Sequence, residues 1–244
     1  MIAPRAATLR LAAAVATLIL GTAGVLQVGA AASLPITTQA LTPYRTCTLT
    51  ATPSTTTIVI DTTVKQASAT SNFGTATTIV VSSGSNANQR AYVLFDLTKC
   101  LPVIPVSATV RSAVMRLYVT GLASVCRTID IFDVPSSWTE AGLTWNSQPF
   151  GTAINNPGSA TRTDSFNAGT ATGCQNATAN AYVVGADVTT DVASFVAGSA
   201  TNAGWMLRDD AEGSTTVRTT TFASKEAAVV AREPQLIISW VPVP

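Results

Sequence analysis

The chain contains no histidine. That removes Ser-His-Asp and Cys-His nucleophilic catalysis, imidazole acid–base chemistry and His-ligated zinc. Glycoside hydrolysis by two convergent carboxylates would still be open, but the 13 acidic residues are scattered and no spacing singles out a pair. No catalytic residue is therefore expected, and the chain reads as a non-enzyme. The tightest acidic group is Asp209, Asp210 and Glu212. Oxygen ligands of this kind suit calcium, with Asp209 and Asp210 as its ligands and a structural role; a solvated turn is the simpler reading. Asp61, Asp96, Asp130 and Asp133 fall at strand ends and read as local hydrogen-bond or ion-pair partners.

Cys47, Cys100, Cys126 and Cys174 lack the C-x-x-C spacing of a zinc site, and an even count in an exported chain reads as two disulfides. The expected pairing is Cys100–Cys126 with Cys47–Cys174. The first would pin the loops flanking a central strand, and the second would tie together the two regions of weakest apolar signal. Trp138 and Trp145 could stack on sugar rings, but large aromatics are usually buried, and both read as core residues closing one end of a sandwich. Glu140 reads as a cap or turn residue. Amides, guanidinium groups and polar aromatics near loops match hydroxyl geometry best. The ligand-binding candidates are accordingly Asn88, Arg90, Tyr182, Arg208 and Lys225.

These residues must be positioned by strands. Arg5, Arg10, the apolar run Leu11 to Val28 and Ala30-Ala31-Ala32 before Ser33 have the layout of a secretory signal peptide over 1–32. The mature form is expected to be secreted to the exterior or cell surface and not inserted in a membrane. With Arg5 and Arg10 gone, 12 of the 14 basic residues face 13 acidic ones, a balance that steers no nucleic acid toward the protein. Residues 33–56 form a Thr/Pro/Ser-rich lead-in, and 57–244 form the domain. There, short β-branched or alternating stretches recur between turn formers: 57–60, 77–81, 91–97, 113–120, 128–134, 181–188, 205–207, 219–223 and 236–241. In 113–120, Met115, Leu117 and Val119 alternate with Val114, Arg116 and Tyr118, the period of a half-buried strand. One helix is expected over Thr189–Ala197, capped by Thr189 or Thr190 and stopped by Gly198. Residues 155–180 read as a long polar loop. The fold class is all-β, an antiparallel sandwich with one short helix.

Several segments, taken in order, carry a resemblance. Arg90-Ala91-Tyr92-Val93-Leu94-Phe95-Asp96-Leu97 precedes Ser112-Ala113-Val114-Met115-Arg116-Leu117-Tyr118-Val119. The string from Ser137-Trp138-Thr139-Glu140 to Gln148-Pro149 follows, then Gly204-Trp205-Met206-Leu207-Arg208, Phe222-Ala223-Ser224-Lys225-Glu226 and Pro234-Gln235-Leu236. Over residues 57–241 the chain resembles the DNRLRE-domain family, which is related to the disaggregatase-related repeats. The resemblance implies a jelly-roll β-sandwich in secreted or surface proteins. Part of that family is classed as carbohydrate-binding modules, with alginate among the ligands. It implies a non-catalytic module that binds an extracellular polysaccharide. A structural or adhesive surface protein is the alternative, and a carboxylate-dependent glycosidase or lyase a remote one.

Overall fold

The computed structural model describes residues 44–51 and 58–243; the expected signal peptide lies outside them. Among the described residues the strands are β1 (Arg45–Thr50), β2 (Val59–Lys65), β3 (Thr78–Ser83), β4 (Gln89–Phe95), β5 (Thr109–Arg116), β6 (Val119–Gly121), β7 (Arg127–Asp133), β8 (Asp164–Ala168), β9 (Trp205–Asp209), β10 (Arg218–Ala223) and β11 (Gln235–Val241), with one α-helix, α1 (Thr189–Val196). They form a small sheet in the order β1-β11-β5 and a large one in the order β6-β10-β3-β4-β9-β7-β8, with β2 also paired to β4. The strand pairings are antiparallel, and the sheets curl as a half-barrel. The all-β class with a single short helix is what the alternation in the sequence specifies.

The register explains the core. Leu236, Ile238 and Trp240 alternate along β11, and their cross-strand partners Leu49, Cys47, Met115 and Ala113 share their face. That face packs on Ala91, Val93, Phe95, Ile129, Ile131, Trp205 and Leu207 of the large sheet. A second apolar layer lies on the opposite face of the large sheet. Tyr92, Met206 and Phe132 form a row across β4, β9 and β7, and Leu143 and Trp145 cover it, with Trp138 and Phe150 at its margin. Trp145 is buried and Trp138 half-buried with its indole N–H donated to the Ala203 carbonyl at 2.8 Å. Both are core residues, but they roof an outer sheet face rather than close an end.

Four expectations change. The lead-in contains β1, which the small sheet needs as its third strand. The polar stretch 155–180 contains β8. Residues 181–188 run along β5 and β6 through isolated bridges, because Gly185 at φ 86° breaks the pleat. The helix is capped without a Thr side chain; the Thr189 hydroxyl oxygen instead accepts the Ala113 N–H at 2.8 Å.

The disulfides are Cys47–Cys100 and Cys126–Cys174, not the expected Cys100–Cys126 and Cys47–Cys174. Cys47 points inward from β1 toward the buried Cys100 just past β4. Cys126 immediately precedes β7, whose partner β8 ends with Ala168 opposite Arg127. The chain leaving β8 thus runs back beside Cys126 and delivers Cys174 there.

One half-buried acid contributes a pH dependence to the domain. Asp133, at the end of β7, has a buried oxygen without a hydrogen-bond partner, while Asp191 of α1 accepts the Thr163 hydroxyl at 2.6 Å and the Trp205 indole at 2.8 Å. Burial, and then the Asp191 charge, push the Asp133 carboxyl up to about 6. A folded pKa above the unfolded value means that the folded state keeps a proton the unfolded chain has released between about pH 4 and 6. Stability should therefore rise as the pH falls from 7 through that window. Burial raises Asp61 and Glu140 as well, so wild type carries several such contributions. Asp133→Asn should raise Tm at pH 7.5 and narrow the gap between melts at pH 7.5 and 5; an unchanged gap would refute the assignment.

Candidate functional site

Asp209 and Glu212 of the acidic cluster and three of the five ligand candidates belong to one interior network, with Asp210 exposed at its rim. Arg90 and Arg208 lie on the same outer sheet face as Tyr92 and Met206, one row further along, and the chain between Gln148 and Ser159 covers them. Every guanidinium donor of Arg90 is used. Nε and Nη2 grip Glu212 at 2.7 and 2.8 Å, Nη1 reaches Gln148 Oε1 at 3.0 Å and the Gly151 carbonyl at 3.1 Å, and Nη2 reaches the Ala153 carbonyl at 2.7 Å. Its guanidinium carbon lies over the Trp145 ring, 4.8 Å from the centroid. Arg208 pairs with Asp130 at 3.2 Å and also donates to Asn155 Oδ1, Ser159 and the Asp209 carbonyl. The Asn88 side-chain oxygen takes the N–H groups of Gly84 and Gly213, and its amide donates to Gln66. Asn88, Arg90 and Arg208 are buried and present nothing to a polymer, which corrects the sequence reading.

Asp209 and Asp210 both accept from Arg127, the latter at 2.9 Å. Both carboxylate oxygens of Asp209 and Oδ1 of Asp210 are taken by this guanidinium. Arg90, Arg127, Arg162 and Arg208 together answer Asp130, Asp209, Asp210 and Glu212.

Lys225 centres a second cluster, in the gap where β2 and β3 diverge. Its ammonium pairs with Glu140 at 3.2 Å and with Glu226, and its backbone N–H donates to Asp61 at 2.7 Å. Glu140 also accepts the Asp61 N–H at 3.0 Å, so it holds the free edge of β2 rather than capping a turn. Burial pushes the Asp61 carboxyl well above its usual range, against the lowering effect of the Lys225 N–H. Oxygens of Asp61, Glu140 and Glu226 lie within 4.8 Å of one another, the spacing of a cation site, and the Lys225 ammonium supplies a positive charge there. Gly74 cannot carry a side chain here: a Cβ would stand 2.6 Å from Glu140 Cγ.

Tyr182, the fifth candidate, is partly exposed in a different setting. Its ring meets Tyr118 edge-on at 5.4 Å. Arg116 lies 4.3 Å over the Tyr182 ring and Arg232 lies 5.0 Å from the Tyr118 ring. The Tyr182 hydroxyl donates to the Ala231 carbonyl at 2.7 Å, which fixes the ladder to the loop after β10. Beside it opens a cavity of about 270 Å³ lined by Thr77, Thr120, Ala223, Ala227, Ala228, Val229 and Arg232. An apolar floor, threonine hydroxyls, two tyrosines and two guanidinium groups thus share one surface. Another cavity, of about 290 Å³, is lined by Ile58, Ile60, Leu94, Asp96 and Asn202. There Asp96 already accepts from Thr98, and Asn202 is bonded to the Phe95 carbonyl and the Gly204 N–H. The first cavity offers the freer donors. Of its surroundings the sequence reading found Tyr182 alone; the signal for Arg116 and Tyr118 was their place on the polar side of the 113–120 alternation.

A comparison with protein-family models matches carbohydrate-binding module family 96 over residues 52–240, and a comparison with curated proteins finds no match. That span runs from before β2 to within β11 and so takes in the whole large sheet, both polar clusters and the tyrosine–arginine surface. The chain belongs to carbohydrate-binding module family 96.

Proposed function

We propose that this protein is a non-catalytic module that binds a polysaccharide outside the cell, and that the surface around Tyr118, Tyr182, Arg116 and Arg232 holds the glycan. The family supports the binding role, and the two disulfides support an oxidising location. The resemblance to DNRLRE domains agrees with both. The observation that carries the placement is the ladder itself. It sets two guanidinium groups on two partly exposed tyrosines beside an open cavity, whereas the other cationic groups described above are spent on buried or ion-paired carboxylates. Sugars present apolar ring faces and hydroxyl edges, and this surface offers matching partners for both.

Affinity electrophoresis of the secreted protein against a panel of neutral and acidic polysaccharides tests the reading. Retardation by at least one polymer is expected. Arg232→Ala, at an exposed position, and Arg116→Ala should each weaken it about tenfold, the loss of roughly 1.4 kcal/mol. Binding that neither substitution alters would move the site elsewhere. No retardation by any polymer would favour a structural or adhesive role, and polymer turnover by pure protein would make it an enzyme.

A further inference from the structure

The end of the sandwich where β1 begins and β11 finishes is unusually apolar. Arg45, the first residue of β1, pairs with Trp240, and Val241 pairs with Thr109, the first residue of β5. Tyr44, Val243 and Val106 therefore converge at one end of the small sheet. The Cys47–Cys100 bond fastens the loop carrying Leu101 and Val103 to the same end. These five side chains are 69% (Tyr44), 52% (Val243), 77% (Val106), 83% (Leu101) and 63% (Val103) exposed. They account for half of the ten large hydrophobics exposed among the described residues. Residues 100–110 and 239–243 contain no charged side chain at all, leaving Arg45 as the charge nearest to Tyr44.

At those exposures the five residues offer roughly 600 Å² of accessible surface, mostly apolar, at the upper limit of the patch a soluble monomer leaves bare and about three quarters of the ~800 Å² per partner of a stable interface. We propose that this end is an isologous interface with a second copy of the chain. An identical apolar face is a matching partner: two copies related by a two-fold axis bury the patch against itself, and the uncharged loop brings no like-charge repulsion into the contact. The tyrosine–arginine surface involves none of the five residues, so this inference does not depend on the glycan reading. A dimer would carry two glycan surfaces, and a polymer engaging both would be held by avidity.

Sedimentation velocity of the full secreted protein over a wide concentration range tests the proposal. A concentration-dependent dimer is expected. Leu101→Asp combined with Val106→Asp should weaken it about 100-fold, in line with loss of central apolar contacts. Both positions are exposed, so the far-UV spectrum, and the Tm at concentrations where the unsubstituted protein is monomeric, should stay unchanged; Val103→Lys serves as a second variant should the first disturb folding. A monomer at every concentration would overturn the proposal, whether another segment of the chain covers the patch or it stays bare. So would a dimer that survives both variants.

Discussion

Arg90→Ala is expected to destabilise the domain by about 3–5 kcal/mol, the loss typical when one partner of a buried ion pair is removed. The substitution strips donors from the Glu212 carboxylate, from Gln148 and from the Gly151 and Ala153 carbonyls. Glu212 would then be a buried anion whose remaining partner is the Asn155 N–H at 2.7 Å. The Trp145 ring would lose the cation lying over it. Arg90→Lys should rescue little, because a lysine ammonium is a point charge and cannot serve Glu212 on one side and the 148–153 segment on the other. Removing both charges, as Arg90→Met with Glu212→Leu, should recover part of the loss, since the buried anion disappears with its partner. Denaturant unfolding of the three variants decides it. A shift below 1 kcal/mol for Arg90→Ala would mean that the network contributes little to holding the outer layer.

Replacing Cys47 and Cys100 by alanine should cost about 4 kcal/mol, the chain-entropy value for a bond closing 53 residues. For a domain of this size that corresponds to roughly a 10 °C fall in Tm. Both residues are buried, so serine would add unpaired hydroxyls to an apolar site, and alanine isolates the loss of the bond. β1 has most to lose. It is an edge strand, paired within its sheet to β11, and the disulfide is its covalent tie to the chain leaving β4. Hydrogen exchange in the alanine variant should therefore accelerate first in residues 45–50. Non-reducing peptide mapping supplies the check on connectivity: Cys47 joined to Cys100 and Cys126 to Cys174, with any other pairing refuting this account.

Much of the fold was legible in the sequence because a strand advertises itself locally. Side chains alternate with a period of two, so Met115, Leu117 and Val119, or Leu236, Ile238 and Trp240, declare a buried face with no knowledge of what covers it. The missing histidine and the even cysteine count bounded the chemistry in the same local way. What alternation cannot tell is whether the other face is also covered. In β4 and β9 it is: the chain from Val134 to Ser159 folds over the outer face, and Arg90 and Arg208, polar residues beside apolar ones, become a buried ion-pair network instead of a ligand surface. The disulfide pairing was beyond reach for a related reason, since the partners of Cys47 and Cys126 follow from which strands adjoin, a long-range fact. The tyrosine–arginine surface gathers residues 116, 118, 182 and 232, far apart in the chain and unremarkable singly. Composition and period determined the all-β class and most of its strands; the stacking of layers alone decided which charges sit inside and which remain available to a ligand.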